Sequence, residues 1–196
     1  MMTKSLEEKG CTLVTSFLDE ETTATVSRYM QNKAKRNPFV AEGLDTVNSE
    51  YFWYADPLIE MLLENNISRL ERLSGKELYP TYSYARIYSK KDVLKPHVDR
   101  GACEYSVSIH IGKSGEDSPL YIENNFGKIE KHILNPGDAV VYKGVSSLHW
   151  REPLADTDTL FNAQVMLHYV DKHGEYSDCR FDNRDELGLG RRTVCQ

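Results

Sequence analysis

The chain changes its hydrophobic rhythm at Ser74-Gly75: before it apolar residues recur at helical spacing, and after it they alternate. CTLVTSFL (11–18) is short, apolar and β-rich, and reads as a strand. DEETTATVSRYMQNKAKR (19–36) reads as a helix. Asp19 can cap it, Glu20 and Glu21 fill its first turn, and Lys33, Lys35 and Arg36 close it, a charge order that suits the helix dipole. A second helix is predicted from Asp56-Pro57, a cap followed by proline in the first turn. It runs through LIEMLLENNISRLERL with Leu58, Leu62, Ile67, Leu70 and Leu73 as its apolar stripe.

The second half offers YPTYSYARIYS (79–89), EYSVSIHIG (104–112), SPLYIENN (118–125), KIEKHIL (128–134), DAVVYKG (138–144), SSLHWRE (146–152) and LFNAQVMLHYV (160–170). Turn chemistry such as Lys113-Ser114-Gly115, Asn135-Pro136-Gly137-Asp138 and Asp156-Thr157-Asp158 separates them. Many short strands at this spacing predict a sandwich or barrel. The expected fold class is α+β in a single domain, residues 1–196. Residues 1–78 would be a helical N-terminal support, 79–171 a jelly-roll core, and 172–196 a polar, glycine-spotted tail or loosely packed flap. The helices' apolar stripes need burial, and a sheet face is available to them.

A length of 196 residues and a 40% hydrophobic content suit one sizeable core. No run approaches the roughly eighteen apolar residues of a membrane helix. MMTKSLEEKG lacks the apolar stretch of a secretory signal, so a cytoplasmic location without membrane attachment is expected. The net charge of −6 disfavours a generic electrostatic grip on nucleic acid. Cys11, Cys103, Cys179 and Cys195 form no CxxC pair and read as independent thiols, with a Cys179–Cys195 link across the tail as the alternative.

Candidate chemistry lies in PHVDRGAC (96–103) and SSLHWREP (146–153). On an extended segment His97 and Asp99 point to the same face, about 6–7 Å apart along the backbone, within reach of one ion. With a histidine from another strand, such as His149, they would make a two-histidine, one-carboxylate face that leaves coordination positions open for a co-substrate and O2. The pair alone is weak: six histidines and thirty acidic residues in 196 give about one such pair by chance. A second pair, His173 and Glu175, lies beside a glycine in the tail and reads as solvated.

Context strengthens the first pair. RIYSKKDVLKPHVD, CEYSVSIHIG, NPGDAVVYKGVSSLHW and the closing QVMLHYVD stand in an order that resembles the Fe(II)/2-oxoglutarate-dependent dioxygenases, and among them the prolyl-4-hydroxylase-like group, over residues 80–171. The resemblance implies a double-stranded β-helix, with His97, Asp99 and His149 as catalytic iron ligands. It also implies 2-oxoglutarate as co-substrate and O2 as oxidant, and hydroxylation of an unactivated C–H bond with release of succinate and CO2. The carboxylate at Asp99 favours hydroxylation, because halogenating relatives carry a small residue there. The substrate would be a peptide or a small molecule. The family's basic anchor for the far carboxylate of 2-oxoglutarate is missing from DTDTLFNAQ (156–164), where Asn162 stands near its place.

Arg151 is the visible replacement. Two residues after His149, it shares that histidine's face, and a guanidinium grips a carboxylate with two parallel hydrogen bonds. Its alternative is a surface pair with Glu152 or Asp158. Tyr88 and His110 are further co-substrate candidates by resemblance; packing and a hydrogen-bonded core histidine are their structural alternatives. Arg100 is placed to orient Asp99 or face the substrate, and Trp150 to pack outside. SKKDVLK (89–95) and the 113–118 turn are expected to rim the mouth. Two other readings stay open: a cupin-like metalloprotein that does not use 2-oxoglutarate, and a non-catalytic jelly-roll binding module.

Overall fold

The computed structural model describes residues 3–36, 51–89, 92–154 and 161–189. Helices α1 (Thr3–Lys9), α2 (Glu20–Arg36), α3 (Pro57–Asn65) and α4 (Ile67–Ser74) accompany ten strands. The strands are β1 (Cys11–Val14), β2 (Tyr51–Tyr54), β3 (Leu78–Tyr88), β4 (Leu94–His97), β5 (Tyr105–Ser114), β6 (Leu120–Glu123), β7 (Ile129–His132), β8 (Ala139–Tyr142), β9 (His149–Arg151) and β10 (Phe161–Asp171). They form a six-stranded sheet in the order β1-β8-β5-β10-β3-β2 and a four-stranded sheet in the order β4-β9-β6-β7. Every pairing is antiparallel, as in a jelly roll buttressed by N-terminal helices.

Strand alternation divides the large sheet into two environments. Odd-numbered residues of its central strands, including Ala85, Ile87, Val107, Ile109, Val165 and Leu167, join Leu6, Val26, Met30, Ile59, Leu63 and Leu70 in the main core between sheet and helices. Even-numbered residues of the same strands, among them Arg86, Ser106, Ser108, His110, Gln164 and His168, are buried on the opposite face. That face is polar and lines a cavity.

Several expected elements take a different form. Asp19 does cap α2, accepting from Thr22 N at 2.7 Å, and Asp56 accepts from Leu58 N and Ile59 N. The second predicted helix is two, broken at Asn66, whose backbone and side-chain N–H groups both donate to the Leu62 carbonyl. Within α3 the buried stripe is Ile59, Leu62 and Leu63, spaced i, i+3 and i+4, which leaves Leu58 36% exposed, and Leu70 and Leu73 of α4 are buried as expected. The strand expected over 11–18 ends at Val14, and β4 forms partly within the 89–95 stretch expected to rim the mouth.

The tail is not a loose flap over its described length. Asp182 and Arg184 are buried, and the segment Ser177–Asn183 packs on β3. Arg184 Nη2 pairs with buried Glu60 at 2.6 Å, and both Asp182 oxygens accept from Arg100. A polar segment can be buried when each charge meets its opposite. Cys11 and Cys103 are free and buried, whereas Cys179 is disulfide-bonded, which corrects the expectation of four independent thiols. Docking of the tail holds Cys179 in the interior, 3% exposed; Cys195 lies outside the described residues. No described helix is long and apolar enough to cross a membrane.

Candidate metal centre and its cavity

β4 and β9 pair so that His97 stands directly across from His149, with ring centroids 4.3 Å apart. Asp99 follows β4, its N–H bonded to the Gly144 carbonyl at 2.8 Å. Asp99 Oδ1 lies 3.5 Å from His97 Nε2 and 3.6 Å from His149 Nε2. Each imidazole's Nδ1 meets a backbone carbonyl, Lys95 O at 2.8 Å and Ser147 O at 2.9 Å. A proton held on Nδ1 by those carbonyls leaves both Nε2 atoms as lone-pair donors aimed at one point beside Asp99. Neighbouring ligands of an octahedral first-row cation stand about 3 Å apart, so a slight contraction would close the three atoms on one ion.

The supporting groups suit that purpose. Ser106 Oγ donates to Asp99 Oδ2 at 3.0 Å and contacts His168 Nδ1 at 2.9 Å. Burial opposes the charge on Asp99, but the His97 contact and the electrostatic influence of the surrounding imidazoles outweigh it and hold the carboxyl at about 2. Burial lowers His149 despite the nearby Asp99 carboxylate, which favours the neutral form that metal binding requires. At His97 burial is outweighed by the contacts with Asp99 and the Lys95 carbonyl, and the net shift is upward. Gly144 leaves no room for a side chain: a Cβ there would lie 2.2 Å from the Cys103 carbonyl and 2.5 Å from Asp99 Oδ2.

The three groups open into a cavity walled on one side by Tyr82, Tyr84, Arg86 and Tyr88 of β3, alternate residues on one face. Arg151 lines the same cavity. It is 3% exposed and turned inward; Glu152 instead accepts from Trp150 Nε1. Arg151 donates to the Ser118 carbonyl, to Ser108 Oγ at 3.2 Å and to Gln164 Oε1 at 3.3 Å, and stands 5.8 Å from the Tyr88 ring centroid. All these partners are neutral, and no described carboxylate pairs with it. Burying a cation with only neutral partners is costly, and a bound anion would relieve that cost.

His110 and Asn162 do not line this cavity. Gln164 Nε2 bonds to His110 Nδ1 at 2.8 Å and to Asn162 Oδ1 at 2.7 Å, so both stand behind Gln164, which in turn meets Arg151. Arg100 turns from Asp99 to Asp182 and lies over the Tyr82 ring at 4.7 Å. Trp150 stacks on Tyr121, and His173 is exposed beside Glu77. Of the expected rim, Leu94 lines the cavity and residues 90–91 lie outside the described residues. Arg86 and Gln164 escaped the sequence reading. Their even spacing from Tyr88 and Asn162 carried the information, because period two places them on the same face.

A prolyl-4-hydroxylase from Pseudomonas putida matches with a TM-score of 0.66 at 13% identity, covering 88% of this chain and 98% of that one. SnoN, a non-haem α-ketoglutarate-dependent epimerase from nogalamycin biosynthesis, matches at 0.73 with 11% identity, covering 98% and 92%. The fold is the one these oxygenases share. HygX from Streptomyces hygroscopicus, solved with nickel and 2-oxoglutarate bound, matches at 0.67 with 9% identity, covering 88% and 86%. No protein-family model matches the sequence, and no curated protein is similar enough to it to count as a match.

Proposed function

We propose that the protein is an Fe(II)- and 2-oxoglutarate-dependent oxygenase that hydroxylates a C–H bond of a peptide or small-molecule substrate. One observation carries this reading: two imidazole Nε2 atoms and a carboxylate oxygen converge at a cavity that also holds a buried, carboxylate-free Arg151. His97, Asp99 and His149 would hold the iron, whose chemistry when bound is O2 activation coupled to conversion of 2-oxoglutarate to succinate and CO2. The chain's own contribution is positional. The Lys95 and Ser147 carbonyls fix the imidazole tautomers, and Ser106 fixes the carboxylate. Arg151 would take the far carboxylate of the co-substrate in a two-pronged grip, with Ser108 and Tyr88 at its sides. Gln164, backed by His110 and Asn162, keeps the guanidinium in place. The aromatic wall and Arg86 remain for the substrate and would shield the reacting centre from bulk water.

The test needs no substrate. Metal-free protein is given Fe(II) and then 2-oxoglutarate under anaerobic conditions, and the visible metal-to-ligand charge-transfer band is followed. A saturable band in the wild type that is lost in His149→Ala is the expected result. Iron binding without a band would favour a cupin-like metalloprotein, and no iron binding would leave a jelly-roll binding module.

A further inference from the structure

A second group of metal-binding side chains lies outside the cavity. Cys11 opens β1, and Glu130 and His132 sit two apart on β7, so their side chains share a face. β1 is an edge strand of the large sheet and β7 an edge strand of the small one. The donor atoms of the three residues lie within 4.8 Å of one another, with His132 Nε2 3.7 Å from Glu130 Oε2. None of the three lines the cavity at His97.

The group does not satisfy itself. The His132 side chain is 10% exposed, and its Nε2, buried, has no hydrogen-bond partner. Glu130 Oε1 accepts from Asn124 Nδ2 at 2.7 Å, which holds the carboxylate while leaving Oε2 facing the imidazole. Cys11 is 1% exposed and free, beside Leu120, Ile122, Val140 and Tyr142. Burial first, and then the Glu130 charge, raise its thiol to about 11, against a smaller opposing effect of Lys9. An inaccessible, protonated thiol is not a nucleophile. Orphaned buried nitrogens are rare in native proteins and ask for a ligand.

We propose that Cys11, Glu130 and His132 form a second metal site, selective for Zn(II) or a cation of similar softness, that clips the two sheets together along one open side. Sulfur, imidazole and carboxylate in one set suit a borderline cation in tetrahedral geometry. Tetrahedral ligands of such an ion stand about 3.3–3.8 Å apart, so the observed spacing needs only a small contraction. Glu130 is 29% exposed at its side chain, which leaves water as the fourth ligand. Binding would join edge strands of opposite sheets, where no backbone ladder connects them.

Cobalt(II) alone, added to metal-free full-length protein, tests the site. The expected result is a near-ultraviolet thiolate-to-cobalt charge-transfer band. It disappears in Cys11→Ser and needs at least about tenfold more cobalt in His132→Gln. The band persists in Asp99→Ala, which removes the iron ligand and its neighbouring Cys103–His168 group, so the two sites stand or fall separately. Zn(II) should raise the unfolding temperature of Asp99→Ala, but not of the double variant Asp99→Ala/His132→Gln. Absence of the band from the wild type, or its survival in Cys11→Ser, overturns the proposal. Should Cys11→Ser fail to fold, unchanged cobalt affinity in His132→Gln does the same.

Discussion

Arg151 states the residue-scale problem most directly. Burial disfavours its charge and lowers its pKa, against the pull of Tyr88 and Tyr142, and its described partners are all neutral. An incoming dianion would relieve that situation, and removing one member of a buried charged pair typically costs about 2–5 kcal/mol. Arg151→Ala should therefore raise the 2-oxoglutarate concentration for half-maximal charge-transfer absorbance by roughly 30-fold or more, with Fe(II) affinity little changed. Arg151→Lys should recover part of the loss, since it keeps the charge but not the two-pronged geometry. Equal weakening of iron and co-substrate by Arg151→Ala would assign the anchor elsewhere, with Arg86 the next candidate.

At the scale of elements, the site depends on two joints between strands. Asp99 leaves β4 through a hydrogen bond to Gly144, and Gly144 presses against the Cys103 carbonyl. A methyl group there has nowhere to go, because the nearest atom is backbone. Gly144→Ala should cost on the order of 2 kcal/mol or more, a lower denaturant midpoint with an unchanged slope, and should weaken iron binding by displacing Asp99. The second joint is the polar chain behind Arg151. Burial, with lesser help from Arg151 and Lys113, pushes His110 down to about 4. The unfolded imidazole titrates near its ordinary value of 6.5, so between those values the unfolded chain binds more protons than the folded one. Stability should therefore fall as pH drops from about 6.5 to about 4, on the order of 3 kcal/mol from this residue. Urea unfolding across that window should show a shallower pH dependence in His110→Gln than in the wild type.

For the molecule as a whole, the tail and the helical layer act as one support. Arg184 bridges Glu60 of α3 and the Thr81 carbonyl of β3, all at buried positions. Asp182 ties Arg100, next to Asp99, to Tyr54 of β2. Arg184→Ala strands the Glu60 carboxylate in the interior and should cost roughly 3–5 kcal/mol, read as a lowered unfolding temperature. A change within error would mean that the tail contributes little to folding.

How much of this was legible in advance follows from the range of each interaction. Alternation announced the strands and capping chemistry announced α2 and α3, because each is a local pattern of a few residues, whereas His97, Asp99 and His149 came together as a candidate set only through the family resemblance. The helix breaks at Asn66, whose side chain competes for the Leu62 carbonyl, and two consecutive asparagines were the only hint. The sequence by itself determined the jelly roll with helical support and placed His97, Asp99, His149 and Arg151 on plausible faces. Only the tertiary structure decided which residues meet. It brought Gln164 between Arg151 and His110, turned Arg100 toward Asp182, and set Cys11 against β7. Period two tells which face a side chain takes, whereas the element opposite that face depends on sheet order and on contacts between residues far apart in the chain.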